Sequence, residues 1–287
     1  MEGRIVGLSC GIYSIIADGI IYQAPARGIF RKKDIKPVVG DYVSFNEKEK
    51  VIIEIKDRTS LLKRPPIANI DQIFIVQSLV EPEFSYLLTF KYLTYANMNN
   101  IDAKIILTKI DRYQDKEKLK EIIQTFSSMG IDVYCLNNKS GEGVEQIKKL
   151  FNSRTTCFIG QTGVGKSSLA NAIEPKYERL IGEYSKALGR GKHQTKEVVL
   201  LPYQNGYLAD TPGFSSLDLN LYKEDLAIYF PGFKDKYTNC FYSNCLHISE
   251  NKCEIKKAIM ENKIPEIAYE CYKKLSDEAI YKAKRYD

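Results

Sequence analysis

Apolar and polar positions along the chain change their period twice. Over residues 1–60 the apolar runs are short: "RIVGL", "YSIIA", "IIYQA", "RGIFRK", "DYVSFN" and "VIIEIK", parted by Gly, Asp and Pro. Short alternating or continuous apolar runs between turn residues predict the strands of a small antiparallel barrel. "PVVGDYVSF" reads as a strand entered through a turn at Gly40–Asp41. In "LLKRPPIAN" the pair Pro65–Pro66 predicts a linker, because proline blocks ladder bonds and stiffens the chain.

From Asn69 the runs become compact: "DQIFIVQSL", "KIILTKID", "IDVYCL" and "TTCFIG" suit buried parallel strands. Helical patterns lie between them, over residues 84–98, 115–128 and 142–151. Such alternation predicts an α/β sheet covered on both faces. After Pro212 the pattern turns helical, interrupted by a cysteine cluster. The expected division is a barrel over 1–63, an α/β nucleotide-binding domain over 64–218 and a metal-binding helical domain over 219–287. There is no internal repeat and no low-complexity stretch.

Composition narrows the class only a little. The chain has 287 residues, 44% hydrophobic and 27% charged, as ordinary soluble domains do. No apolar run approaches the ~20 residues that span a bilayer, and "MEGRIVGLSCGIYS" lacks the pattern of a secretory signal. A cytoplasmic protein without a membrane partner is expected. The net charge is +6, and the tail carries "KK", "KK" and "KAKR". That suits a nucleic-acid partner; a solvated helical face is the competing reading. Seven cysteines without an export signal argue against a disulfide framework. Cys10, Cys135, Cys157 and Cys271 lie in or beside apolar runs and are expected to be small buried hydrophobes.

The chemistry concentrates in "CFIGQTGVGKSSLANAI", residues 157–173. Gly160-x-x-x-x-Gly165-Lys166-Ser167, between an apolar strand and a helical pattern, satisfies the phosphate-loop pattern. Its glycines let successive N–H groups face phosphates at the positive end of the helix. Gly160, Gln161, Thr162, Gly163, Val164, Gly165, Lys166, Ser167 and Ser168 are the candidate contacts. Lys166 would reach the outer phosphates, and Ser167 would bind magnesium. Downstream, "LADTPGF" places Asp210 to hold magnesium through water and Gly213 to offer its N–H to the terminal phosphate. Between them, "GRGKHQTKEVVL" offers Thr195 to complete the magnesium shell, against the alternative of a surface threonine.

The element that selects the base stands upstream. "IILTKID" gives a strand ending in Thr108-Lys109-x-Asp111, a variant of the Asn-Lys-x-Asp guanine reader. A carboxylate there accepts from both the ring N–H and the exocyclic amine of guanine, which adenine does not offer. In "CLNNKSGEGV" the backbone of Asn138 and Lys139 would form the second base loop. The order of parts is therefore a circular permutation. An ATP-dependent kinase or ATPase is the competing enzyme reading, and it requires Asp111 to be irrelevant to the base. Phe214 follows the aspartate loop where many switches carry a water-orienting glutamine. His193 is the nearest candidate to orient the water or act as catalytic base, with a solvent or partner contact as its alternative.

"NCFYSNCLHISENKC" gives Cys240-x4-Cys245-x-His247-x5-Cys253. Three thiols and one imidazole in a reducing compartment predict a closed tetrahedral zinc site, hence a structural one.

Together the "GQTGVGKSSL" loop, "GRGKHQT", "DTPGF", upstream "TKID", "ANIDQIFIV" and the cysteine knuckle resemble the circularly permuted ribosome small subunit-dependent GTPases, the ribosome biogenesis GTPase A type. The resemblance spans essentially the whole chain. It implies a multidomain fold: an amino-terminal OB-fold β-barrel, a permuted α/β P-loop GTPase domain and a carboxy-terminal zinc-binding helical domain. It also implies GTP as substrate, Mg2+, one structural Zn2+ and a monomer. The implied activity is GTP hydrolysis late in maturation of the small (30S) ribosomal subunit, stimulated by that subunit, with 16S rRNA as a partner. The departures are Thr108 in place of Asn, and Asn137-Asn138 in place of Ser-Ala. The strand over 27–33, "RGIFRKK", is expected to present Phe30 on the RNA-binding face of the barrel, with a bland barrel surface as the alternative. A GTP-gated rRNA-binding module with little hydrolysis is the alternative function.

Overall fold

Alternation in the amino-terminal runs buries one face of each strand and so specifies pairing register. In a computed structural model of the chain, residues 1–28, 30, 35–63, 65–137, 139–175, 177, 179, 198–210 and 217–280 are described. Strands β1 (Glu2–Ser9), β2 (Ile12–Ala17), β3 (Ile20–Pro25), β4 (Tyr42–Asn46) and β5 (Val51–Ile55) form an antiparallel sheet. Their order is β3-β2-β1-β4-β5. A bridge between Ala26 and Ile52 brings the two edges together, so the sheet is barrel-like. Ile5, Ile15, Ala24, Val43, Phe45 and Ile52 fill its interior.

Two sequence expectations fail here. The strand expected at "RGIFRK" fails at its described residues: Arg27 and Gly28 lie outside any strand, and Phe30 is helical, its N–H donating to the Arg27 carbonyl at 3.1 Å, while Ile29, Arg31 and Lys32 lie outside the described residues. Phe30 is buried, so its ring fills the core instead of facing solvent. Pro65–Pro66 do not mark a linker either. β6 (Leu61–Lys63) and β7 (Pro66–Ala68) pair as a hairpin, and Ala68 N–H donates to the Val39 carbonyl at 2.9 Å. Pro66 is tolerated because it opens its strand.

The second sheet holds β8 (Gln72–Ser78), β9 (Asp102–Thr108), β10 (Val133–Leu136), β11 (Thr155–Ile159), β12 (Val199–Tyr203) and β13 (Gly206–Asp210). Their order is β10-β9-β8-β11-β13-β12. β9 with β10 and β11 with β13 run parallel, and β12 with β13 antiparallel. Helices α1 (Tyr86–Met98), α2 (Lys116–Ser127), α3 (Val144–Lys148) and α4 (Lys166–Ile173) alternate with the strands. Ser85 and Asp115 start α1 and α2 by accepting from the amides of Leu88 and Lys118. α5 (Leu226–Tyr229), α6 (Glu254–Met260) and α7 (Glu266–Glu278) close the chain. Among the described residues no helix is long and apolar enough to cross a membrane.

The chain divides into two compact units: Met1–Phe74, Asn138–Ile159 and Lys166–Phe214 in one, Ile75–Asn137, Gly160–Gly165 and Ser215–Asp287 in the other. The first holds the barrel together with β11, β12 and β13. The second joins α1 to the carboxy-terminal helices through an aromatic core. Its Phe90 ring lies 5.1 Å from Phe126 and 5.3 Å from Phe230, and Tyr272 lies 4.7 Å from Phe233. Cys157 and Cys271 are buried as expected and Cys135 is half-buried. Cys10 is exposed, because it stands in the β1–β2 turn with φ 48°.

Candidate nucleotide site and metal centre

In the second unit, the phosphate-loop stretch Gly160–Gly165 lies against the carboxyl ends of β8 and β9. Gly160 has φ 148°, and a Cβ added there would sit 2.2 Å from the Val76 carbonyl oxygen. No larger residue fits. Gly163 and Gly165 also have positive φ, 82° and 100°. Val164 is fully buried and pins the middle of the loop.

Thr108 ties the base-reading strand to this loop. Its buried hydroxyl donates to the Val164 carbonyl at 2.6 Å, with the Gln77 carbonyl at 3.3 Å. Thr108 thus supplies a side-chain bond between β9 and the phosphate-loop stretch. Lys109 follows in the left-handed region, φ 59°, uncommon for a lysine and a form of strain found often at functional sites. Its ammonium donates to the Glu81 carbonyl, and Arg112 pairs with the Glu81 carboxylate at 2.8 Å. Glu81 had no sequence signal. Asp111 sits exposed on the 3-10 turn Ile110–Arg112, so its carboxylate is accessible to a ligand.

In the first unit, Lys166 opens α4, with Ser167 and Ser168 exposed on its first turn. Burial lowers the pKa of the Lys166 ammonium from its ordinary value. An anionic partner would relieve that desolvation cost. Lys139 is exposed in the turn after β10, and Asp210 ends β13. Ser167 thus offers a hydroxyl suited to magnesium. Asn138, His193, Thr195 and Gly213 lie outside the described residues, as do the side chain of Asp210 and Phe214.

The metal centre is assembled within the second unit. Ligand atoms of Cys240, Cys245, His247 and Cys253 all lie within 4.8 Å of one another. Cys240 Sγ and Cys253 Sγ are each 3.4 Å from His247 Nδ1 and 3.9 Å apart. A zinc tetrahedron with bonds of about 2.3 Å to sulfur and 2.0 Å to nitrogen has edges of about 3.8 Å and 3.5 Å. The donor set therefore fits zinc, and the four side chains would fill a tetrahedral shell. Supporting bonds come from distant residues. Glu250 accepts from the amides of Leu246 (2.7 Å) and Ile248 (2.9 Å), and Tyr269 and Tyr272 donate to the carbonyls of His247 (2.8 Å) and Leu246 (3.0 Å). Burial pushes the Cys245 thiol up to about 12 and lowers His247.

The barrel carries its own feature. An open groove of about 640 Å³ runs between β2, β3 and the β4–β5 turn; Ile12, Tyr22 and Phe45 line it together with one acid, Glu47, and one base, Lys50.

Comparison with known proteins agrees with this geometry. The family described as RsgA GTPase matches residues 55–220, and that described as RsgA N-terminal domain matches residues 2–52. The chain is 41% identical over 294 residues to the small ribosomal subunit biogenesis GTPase RsgA of Bacillus velezensis, covering 99% of each chain. It is 39% identical to the protein of that name from Bacillus subtilis (strain 168), again over 99% of each. The crystal structure of YjeQ from Thermotoga maritima superposes with a TM-score of 0.85 at 31% identity, covering 98% of this chain and 99% of that one. YloQ, described as a circularly permuted GTPase, gives 0.81 at 35%, covering 99% and 96%.

Proposed function

Because the chain belongs to the RsgA family of circularly permuted GTPases, we propose that it binds the small ribosomal subunit and hydrolyses GTP during that subunit's late maturation. The observation that carries this is 41% identity across 99% of a small ribosomal subunit biogenesis GTPase. The work would be done where ribosomes assemble, in the cytoplasm.

The residues divide the task. Asp111 accepts from the ring N–H and exocyclic amine of guanine, Lys109 lies along the base, and the Asn138–Lys139 backbone closes over it. The amides of Gly160–Gly165 and the Lys166 ammonium hold the phosphates, and Ser168 lies beside them on α4. Ser167, Thr195 and Asp210 would hold magnesium, which when bound neutralises charge between the outer phosphates. Gly213 would offer its N–H to the terminal phosphate. His193 orients the attacking water, a role Phe214 cannot fill because it has no hydrogen-bonding group. His193→Ala should lower turnover and leave nucleotide affinity nearly intact; unchanged turnover would remove His193 from the mechanism.

16S rRNA is the natural ligand for the barrel groove, where Tyr22 offers a stacking surface and Lys50 a cation. Phosphate release titrated with purified small subunits tests the proposal. Turnover should rise at least about tenfold, a modest rise beside the roughly 10³–10⁵-fold that an arginine finger supplies. GTP binding without hydrolysis at any subunit concentration would instead describe a GTP-gated rRNA-binding module.

A further inference from the structure

Arg4, on β1 of the barrel, is almost wholly buried, only 4% exposed. Its guanidinium donates to three uncharged oxygens: the Gly40 carbonyl (3.2 Å), the Asn69 carbonyl (2.8 Å) and the Thr155 hydroxyl (2.8 Å). It also lies between two rings, 4.8 Å from the centre of Tyr42 and 4.6 Å from that of Tyr207. Gly40, Asn69 and Tyr42 belong to the barrel and its hairpin. Thr155 opens β11 and Tyr207 stands at the start of β13.

The far ends of those two strands matter. β11 ends at Ile159, immediately before Gly160 of the phosphate loop, and β13 ends at Asp210. Their near ends are held tightly. Thr155 N–H donates to the Asp71 carboxylate at 2.7 Å, and a Cβ on Gly206 would meet the Arg154 carbonyl at 2.2 Å. Gly40 is equally constrained, since a Cβ there would fall 2.0 Å from the Ala68 carbonyl. A buried charge is an expensive adhesive, and apolar residues of similar volume often hold two surfaces as well or better. What a five-donor planar fork adds is fixed orientation.

We infer that Arg4 is a positioning residue that couples the barrel to β11 and β13, so that a ligand on the barrel is felt along those strands as far as their ends at Ile159 and Asp210. The coupling is reciprocal by necessity, so nucleotide must also alter the barrel. The subunit-dependent part of this inference rests on the function proposed above; the nucleotide-dependent part stands without it.

The test uses the full chain. Thr155→Val removes only the sheet-side acceptor and keeps the shape, Thr155→Ser restores the hydroxyl, and Arg4→Lys keeps the charge but loses the fork. Hydrogen exchange is measured with and without a non-hydrolysable GTP analogue and magnesium. In wild type and Thr155→Ser the analogue should slow exchange of the Ile5, Gly40 and Asp41 amides at least about threefold, and in Thr155→Val and Arg4→Lys it should not. A barrel indifferent to nucleotide in wild type, or an undiminished response in Thr155→Val, overturns the inference. Turnover is then measured with small subunits. Thr155→Val should lose about tenfold of the stimulation and keep its unstimulated rate within about twofold. If wild type is not stimulated at all, the proposed function fails, and the exchange data still decide the coupling.

Discussion

At the scale of single residues, Thr108 carries the most specific consequence. One neutral buried hydrogen bond contributes about 1 kcal/mol, and here it joins the base-reading strand to the phosphate loop through the Val164 carbonyl. Thr108→Val should weaken GTP binding about fivefold while Thr108→Ser stays close to wild type, by titration with a fluescent GDP analogue as competitor. Equal affinity in all three proteins would mean that the bond does not set the site. The type of residue at this position was legible, and its partner was not, because Val164 lies 56 residues away. Phe30 shows the opposite failure. "RGIFRKK" reads equally as an edge strand or as a helical turn, since a single large apolar residue among cations carries no period. Only the buried ring in the structure decides between them.

Among elements, the knuckle from Cys240 to Cys253 was the most legible, because ligand type and spacing alone specify a tetrahedral donor set. Its support was not. Tyr269 and Tyr272 reach it from α7, 22 residues or more beyond the carbonyls they bond. The Cys/His knuckle and the aromatic core of the second unit therefore share Tyr272, which packs on Phe230 at 5.2 Å. Chelating zinc should lower the unfolding midpoint by about 10 °C or more and speed amide exchange over α6 and α7, in calorimetry and mass spectrometry respectively. An unchanged midpoint would exclude a structural metal. Burial raises the pKa of the Cys245 and Cys253 thiols, so they are protonated at neutral pH and a bound zinc must displace those protons. Zinc affinity should accordingly rise with pH between about 6 and 8, and proton release measured in weak buffer checks the sign. The linker expected at Pro65–Pro66 failed because proline at the first position of a strand sacrifices no ladder bond.

For the whole molecule, the alternating strands and helices made both sheets legible, yet the compact units cut across the chain order. The phosphate-loop stretch belongs with the base-reading strand in one unit, and the helix that follows belongs with the barrel in the other. Sequence periodicity reports only which face of an element is buried, so it could not show this. The rRNA binding proposed above should weaken as salt rises, since phosphate contacts release counterions. Salt-insensitive binding in a filter assay would rule out a phosphate-led interface. The central claim is that Asp111, upstream in the chain, selects the base for a phosphate loop that comes later. Competition of GTP and xanthosine triphosphate against fluorescent GDP, in wild type and Asp111→Asn, tests it most directly. The account predicts that the variant loses at least about a hundredfold in GTP preference, the worth of two hydrogen bonds to a buried ligand, and gains for the xanthine nucleotide. An unchanged preference would contradict it.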